Sequence, residues 1–301
     1  MAAFVLSNLT GLARQILVTR AFGTGREIDA FSAASTYPDI LFSLIAGGAL
    51  ASAFVPTLTT FLSRRDHENA WMLTSAVLNI GLVALSMTSL VSFFLSPQIV
   101  RYILAPNFDV DQQALAASIL RILLLTPTLF GVSGILMGVL NSHQVFLWPA
   151  LAPTMYWLGM IIGLWLFVPA AGIKGLAWGA VLGAAMHLGI QLPTFFKLER
   201  RRYIPTLGLG VAAVREVGRL LLPRLLGVAV VQLNFLVNTI LASGQPVGSL
   251  AAIKYAWAVM TMPQVVIAQA IAIAALPTFS AQAARGERKE MRASLAATLS
   301  G

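Results

Sequence analysis

The 301-residue sequence contains no cysteine, 3 histidines and 11 acidic residues, and only 10% of it is charged. Without cysteine there can be no disulfide, no thiolate metal site and no thiol nucleophile. His67, His143 and His187 fall in separate segments, without the spacing that metal ligation requires. No paired carboxylates share a helix face, and no Ser/His/Asp constellation or phosphate-cradling glycine loop after a strand is legible. An enzyme is therefore not expected, nor a cofactor or metal. A soluble domain carries about a quarter charged residues, so the scarcity of charge excludes that class as well.

What the chain has instead is apolar length. Hydrophobic residues make up 58% of it, in stretches long enough to cross a bilayer. The expected fold is all-α and polytopic, with about eight transmembrane helices. The spans read as about 2–22, 29–62, 71–95, 115–141, 146–169, 173–196, 217–241 and 250–279, by apolar run length. The second is long for one crossing and contains Pro38, Gly47-Gly48 and Pro56, so it is expected to bend or break. Residues 285–301 are charged first and then apolar, like the start of a ninth helix.

The net charge of +9 does not point to nucleic acid, because the cations cluster between spans. Arg64 and Arg65 follow the second span. Lys197, Arg200, Arg201, Arg202, Arg215 and Arg219 follow the sixth, and Arg285, Arg288, Lys289 and Arg292 follow the eighth. These segments share one side by parity, which makes that side, and the N-terminus, cytoplasmic. The run from Lys197 to Tyr203 could also meet anionic lipid heads. The first stretch lacks a small-residue cleavage site and carries Arg14, so it reads as a span and not a signal peptide.

Arg14 is the most informative residue. A guanidinium near the bilayer centre costs about 2.5–3.5 kcal/mol on insertion scales. It either snorkels toward Gly23, about 13 Å away along the axis, or faces a watery cavity or an anionic ligand, a choice favoured by Gln15 and Asn8 beside it. Asp39 follows Pro38 inside an apolar run. It is a cation or proton site, or a charge at the helix break; a structural Arg14–Asp39 pair is a third reading. Arg121 sits about two turns into the fourth span, and Arg224 and Lys254 read as interfacial anchors. His187 reads as packing, Gln232, Asn234 and Asn238 as inter-helix hydrogen bonders, and Trp148, Trp157, Trp165 and Trp178 as belt or core residues. A weak echo relates Tyr37-Pro38 and Val55-Pro56-Thr57 to Met262-Pro263 and Leu276-Pro277-Thr278, suggesting parallel repeats.

The ordered series Gly11-Leu12-Ala13-Arg14, Arg20-Ala21-Phe22-Gly23, Asp29-Ala30-Phe31, Tyr37-Pro38, Phe54-Val55-Pro56, Gly138-Val139-Leu140-Asn141, Pro149-Ala150-Leu151-Ala152-Pro153-Thr154, Gly175-Leu176-Ala177-Trp178 and Gln191-Leu192-Pro193 resembles the lipid II flippase family (MurJ/MviN type), of the multidrug/oligosaccharidyl-lipid/polysaccharide exporter superfamily. Leu226-Gly227-Val228, Asn238-Thr239 and Leu276-Pro277 continue it. The resemblance implies two six-helix lobes around a cationic cavity, followed by two further helices. This chain would supply a first lobe over 1–197, a basic linker over 198–216 and the start of a second lobe over 217–301, as a portion of a longer protein. Of the family's cavity charges it carries over Arg14 and, near the cavity mouth, Asp29. It departs from the family at Asn8, Phe42 and Ala258, where arginines are expected, and at Gln15, Gly47, Trp257 and Thr261, where acids are.

What the resemblance implies is a flippase of a lipid-linked peptidoglycan precursor in a bacterial cytoplasmic membrane, working by alternating access. Arg14, Asp29, Asp39 and Arg121 are its candidate substrate-binding residues. Its partners would be an anionic lipid-linked substrate, membrane lipids and, as an open question, cell-wall synthesis proteins; nucleic acid is not among them. The departures leave two other readings standing: a transporter of another polyprenyl-linked glycan or amphiphile, and a non-transporting membrane scaffold.

Overall fold

The computed structural model describes residues 2–45, 48–199, 201–261, 282 and 287–300, and the described residues contain helices and no strand. Two compact units divide the chain, Met1–Ala251 and Ala252–Gly301. The first holds α1 (Ala2–Phe22), α2 (Arg26–Ile45), α3 (Gly48–Ser63), α4 (His67–Phe94), α5 (Ser96–Ile99) with a π-helical turn over Val100–Leu104, α6 (Val110–Leu123), α7 (Leu125–Ser142), α8 (Leu147–Leu166), α9 (Val168–Ala171), α10 (Ile173–Gly189), α11 (Leu192–Phe195) and α12 (Ala212–Ser243). A further helix, α13, occupies 249–261. In the second unit α14 spans Arg288–Ser300, and Gln282 Nε2 donates to Ser294 Oγ at 2.9 Å.

Among the described residues, five stretches are long and apolar enough to cross a membrane: α4, α6 with α7, α8, α10 with α11, and α12. Each coincides with a span expected from the sequence. The long second span appears as α2 and α3, each with a proline inside it, Pro38 and Pro56. The second copy of the proline echo, Pro263 and Pro277, lies outside the described residues, as do Gly47, Arg200 and Arg285. Side chains such as Val83, Met87 and Val91 on α4 and Leu226, Val230 and Leu233 on α12 are exposed, which in a bilayer is the lipid-facing condition.

The tightest contact joins α8 to α10, and glycine makes it. Gly159 and Gly163 on one helix face Gly183 and Gly179 on the other, and a Cβ on Gly179 would lie 3.0 Å from Gly163 Cα. Each pair is four apart, so both glycines of a helix lie on one face and the backbones touch.

A buried polar cluster ties α10 to α7. Ser133 Oγ lies 2.7 Å from His187 Nδ1 and 3.3 Å from the His187 carbonyl oxygen, while Gln191 Nε2 donates to Ser133 Oγ at 2.6 Å and to that carbonyl at 3.0 Å. His187 is thus more than a packed ring: its carbonyl, in the last turn of α10, is satisfied by two side chains instead of the next turn. Ser133→Ala strands part of this cluster in an apolar interior, and we expect it to lower stability by about 1–3 kcal/mol. Thermal unfolding in detergent reads the loss, and a melting temperature equal to the parent's would contradict it.

The two ends of the first unit are closed differently. At the basic end, Phe54 and Leu58 of α3, Trp71 and Leu73 of α4, Val139 of α7 and Val217 of α12 form one core cluster. The segment from Tyr203 to Thr206 is seated on α4 there: Asn79 Nδ2 donates to the Thr206 carbonyl at 2.8 Å, the Tyr203 hydroxyl to Asn79 Oδ1 at 2.8 Å, and Ile204 N to Ser75 Oγ at 3.1 Å. Asp66 accepts from Asn69 N at 3.2 Å to cap α4, and the side-chain hydrogen bond from Asn69 holds its carboxyl below the usual range.

At the other end Arg26 pairs with Asp109, which also caps α6 by accepting from Gln112 N at 3.0 Å. Gln112 Nε2 donates to the Arg26 carbonyl at 3.1 Å, and Asn107 Nδ2 to Ser243 Oγ at 3.4 Å. Between α2 and α12, the Thr36 and Thr239 hydroxyls lie 3.3 Å apart.

Candidate functional site

The site grows from one helix contact. Helix α1 packs along α8, and Gly11 lies against the indole of α8: a Cβ there would lie 3.2 Å from Trp157 Nε1. Arg14, about one turn further on α1, sets its guanidinium carbon 4.9 Å from the centre of the Trp157 ring. Its Nη2 donates to Gln15 Oε1 at 2.7 Å. The part-buried arginine therefore has a flat apolar support on one side and an amide on the other.

From Trp157 a series of ring contacts crosses the unit. Trp157 lies 4.8 Å from Tyr156, Tyr156 meets Phe130 of α7 edge-on at 5.0 Å, and Phe130 meets Phe42 of α2 at 4.7 Å and His187 of α10 at 5.2 Å. Asp39 is exposed on α2 directly after Pro38.

The other two candidates have different surroundings. Asp29 is 3% exposed, and its carboxylate accepts from Gly248 N at 2.6 Å and Ala251 N at 2.8 Å. It caps α13 from a distant helix, giving two orphan donors of that N-terminus an anionic acceptor. Gly248 adopts φ +96°, and a Cβ there would collide with the Thr24 carbonyl. Asp29→Ala removes the cap, with an expected penalty of about 1–2 kcal/mol. Amide exchange at Gly248 and Ala251 should then accelerate by about 5- to 30-fold; unchanged protection would show that the cap is dispensable. Arg121 is exposed on α6, donates from Nε to Ser96 Oγ at 2.8 Å and lies 5.5 Å over the Phe93 ring. It ties α6 to the junction of α4 and α5.

Trp157, Tyr156 and Gly11 were not separable from ordinary span residues by sequence. A tryptophan in an apolar helix is commonly a belt or core residue, and only the structure shows which cation it meets. Among the described residues no cluster of three or more His, Cys, Asp or Glu could hold a metal ion. The arrangement suits noncovalent recognition: one guanidinium over an indole and a wall of aromatic rings.

The family described as Lipid II flippase MurJ matches residues 18–300. The Lipid II flippase MurJ of Burkholderia cenocepacia is 32% identical over 286 residues, covering 92% of this chain and 55% of the relative. The probable lipid II flippase MurJ of Thermotoga maritima is 32% identical over 277 residues, covering 91% and 54%. This chain spans about half the length of the curated relatives it matches. Among solved structures, Lipid II flippase MurJ in an inward closed conformation superposes with a TM-score of 0.75 at 24% identity, covering 87% of this chain and 54% of that one. An inward-facing MATE family transporter of the MOP superfamily superposes with a TM-score of 0.77 at 16% identity, covering 98% and 66%. Both likenesses concern the fold alone. The match over nearly the whole sequence places the chain in the MurJ lipid II flippase family.

Proposed function

We propose that this chain is the first lobe and the opening helices of a lipid II flippase, which moves an anionic, lipid-linked peptidoglycan precursor outward across the bacterial cytoplasmic membrane by alternating access. The observation that carries it is Arg14, a part-buried guanidinium in an apolar helix, set over the Trp157 ring. A cation in that position answers a diphosphate headgroup, because charge-assisted hydrogen bonds in a low-dielectric site are the strong ones.

Residues 1–197 would form the six-helix lobe, 198–216 the basic linker and 217–301 the start of the second lobe, with the N-terminus cytoplasmic by the positive-inside pattern. In this reading Arg14 is the substrate-binding cation and Asp39 trims its field or exchanges the coupling proton. Asp29 shapes the cavity by holding α13, and Arg121 steadies α6. A cargo of a different polyprenyl-linked glycan is the second reading, favoured by Phe42, whose ring packs 4.7 Å from Phe130 where the family resemblance leads one to expect an arginine.

The test is complementation by the full-length protein in a strain depleted of its own lipid II flippase. Growth and delivery of labelled lipid II to the outer leaflet are expected. Normal membrane levels without delivery would sink the lipid II reading, and rescue of a different glycan's export would select the second.

A further inference from the structure

We infer that Trp157 is a positioning residue for the cavity cation: its indole, seated against Gly11, holds the Arg14 guanidinium inside the membrane span. This rests on the reading of Arg14 as the anion-binding group. An arginine in an apolar helix is drawn toward the nearest helix end, here Gly23, about 13 Å along the axis. Two observations oppose that drift. The guanidinium carbon stands 4.9 Å above the centre of the Trp157 ring, a cation–π distance. Its Nη2 is bonded to Gln15 Oε1 at 2.7 Å on the same helix.

The indole can take this place because position 11 is glycine. A Cβ there would stand 3.2 Å from Nε1 and 3.4 Å from Cε2 of Trp157, closer than a methyl group tolerates without displacement. One ring therefore meets α1 at Gly11 and lies beneath the Arg14 guanidinium. A guanidinium held over a ring keeps N–H groups that can pair with a phosphate through two parallel hydrogen bonds. Trp157 has a second ring neighbour, Tyr156, at 4.8 Å.

The test uses the full-length protein in nanodiscs, with farnesyl diphosphate as the probe and 15N-labelled arginine for a direct view of the guanidinium. Trp157→Leu should weaken binding by about 5- to 30-fold, equivalent to about 1–2 kcal/mol, and Trp157→Phe should recover most of that. In an Arg14→Gln background Trp157→Leu should have no further effect. The Arg14 guanidinium resonance, identified by its loss in Arg14→Gln, should lose its ring-current displacement in Trp157→Leu. An equal loss of affinity in both backgrounds, or a resonance indifferent to Trp157, overturns the inference. Absence of diphosphate binding by the unsubstituted protein overturns the reading of Arg14 as an anion site, while the resonance still decides whether Trp157 holds it.

Discussion

Arg14→Ala abolishes rescue of a flippase-depleted strain while the protein still reaches the membrane at parental levels. Two opposing effects set this expectation. Removing the guanidinium relieves an insertion penalty of about 2.5–3.5 kcal/mol, so expression has no reason to fall. A charge-assisted hydrogen bond to the ligand is worth about 1.5–3 kcal/mol, which corresponds to about 10- to 150-fold in affinity for a diphosphate headgroup. Few membrane variants combine undiminished folding with lost function, so the pair of readouts is diagnostic. Arg14→Lys keeps the charge but cannot stack a flat face on Trp157 or present a fork, and should fall between alanine and the parent. Arg121→Ala supplies the contrast: its guanidinium bonds Ser96 and Phe93, so its effect should appear in melting temperature before it appears in affinity. Equal membrane levels with full rescue by Arg14→Ala would sink the transport role assigned to this residue and favour a scaffold.

How far the sequence carried each of these residues depends on where its partners lie. Five of the expected spans coincide with helices long and apolar enough to cross among the described residues, because lipid imposes run length on every crossing helix. The edges were less legible: the seventh span was expected from about residue 217, whereas α12 begins at Ala212. The extra turn exists because Ala213, Val214 and Val217 are buried in the core cluster of the basic end, a tertiary contact that hydropathy does not record. Arg14 stood out because a charge in an apolar run is conspicuous. The indole beneath it did not, because its role depends on a helix far away in the chain. Asp29 is the extreme case, since the backbone donor it accepts from, Gly248, lies 219 residues on. Phe42, where the family resemblance leads one to expect an arginine, turns out to be built as an apolar contact, its ring 4.7 Å from Phe130. Such a position is occupied by packing, which gives the departure a structural counterpart.

Gly163→Leu prevents α8 and α10 from closing, with a loss of stability of at least about 3 kcal/mol, beyond the usual range for overpacking. Ordinary overpacking displaces side chains, which can rotate away; here the obstacle is backbone. A Cβ on Gly163 would fall within contact of Gly179 Cα, and one on Gly159 within contact of Gly183 Cα. Relief therefore requires the two helices to separate. In lipid little draws them back together, because apolar surface gains nothing by leaving hydrocarbon and association rests on close packing. Separation also disturbs the site. Helix α8 carries Tyr156 and Trp157, and the Tyr156 backbone is pressed against Gly183, so α10 is the wall that holds the doublet toward Arg14. Gly163→Ala is the informative milder variant, since one methyl still meets backbone. If the contact is what sets the spacing, alanine should already lower the melting temperature and reduce diphosphate affinity, and leucine should prevent recovery of folded protein. If Gly163→Leu melts like the parent, the two helices have another way to pack, and the glycine face is not what positions Trp157.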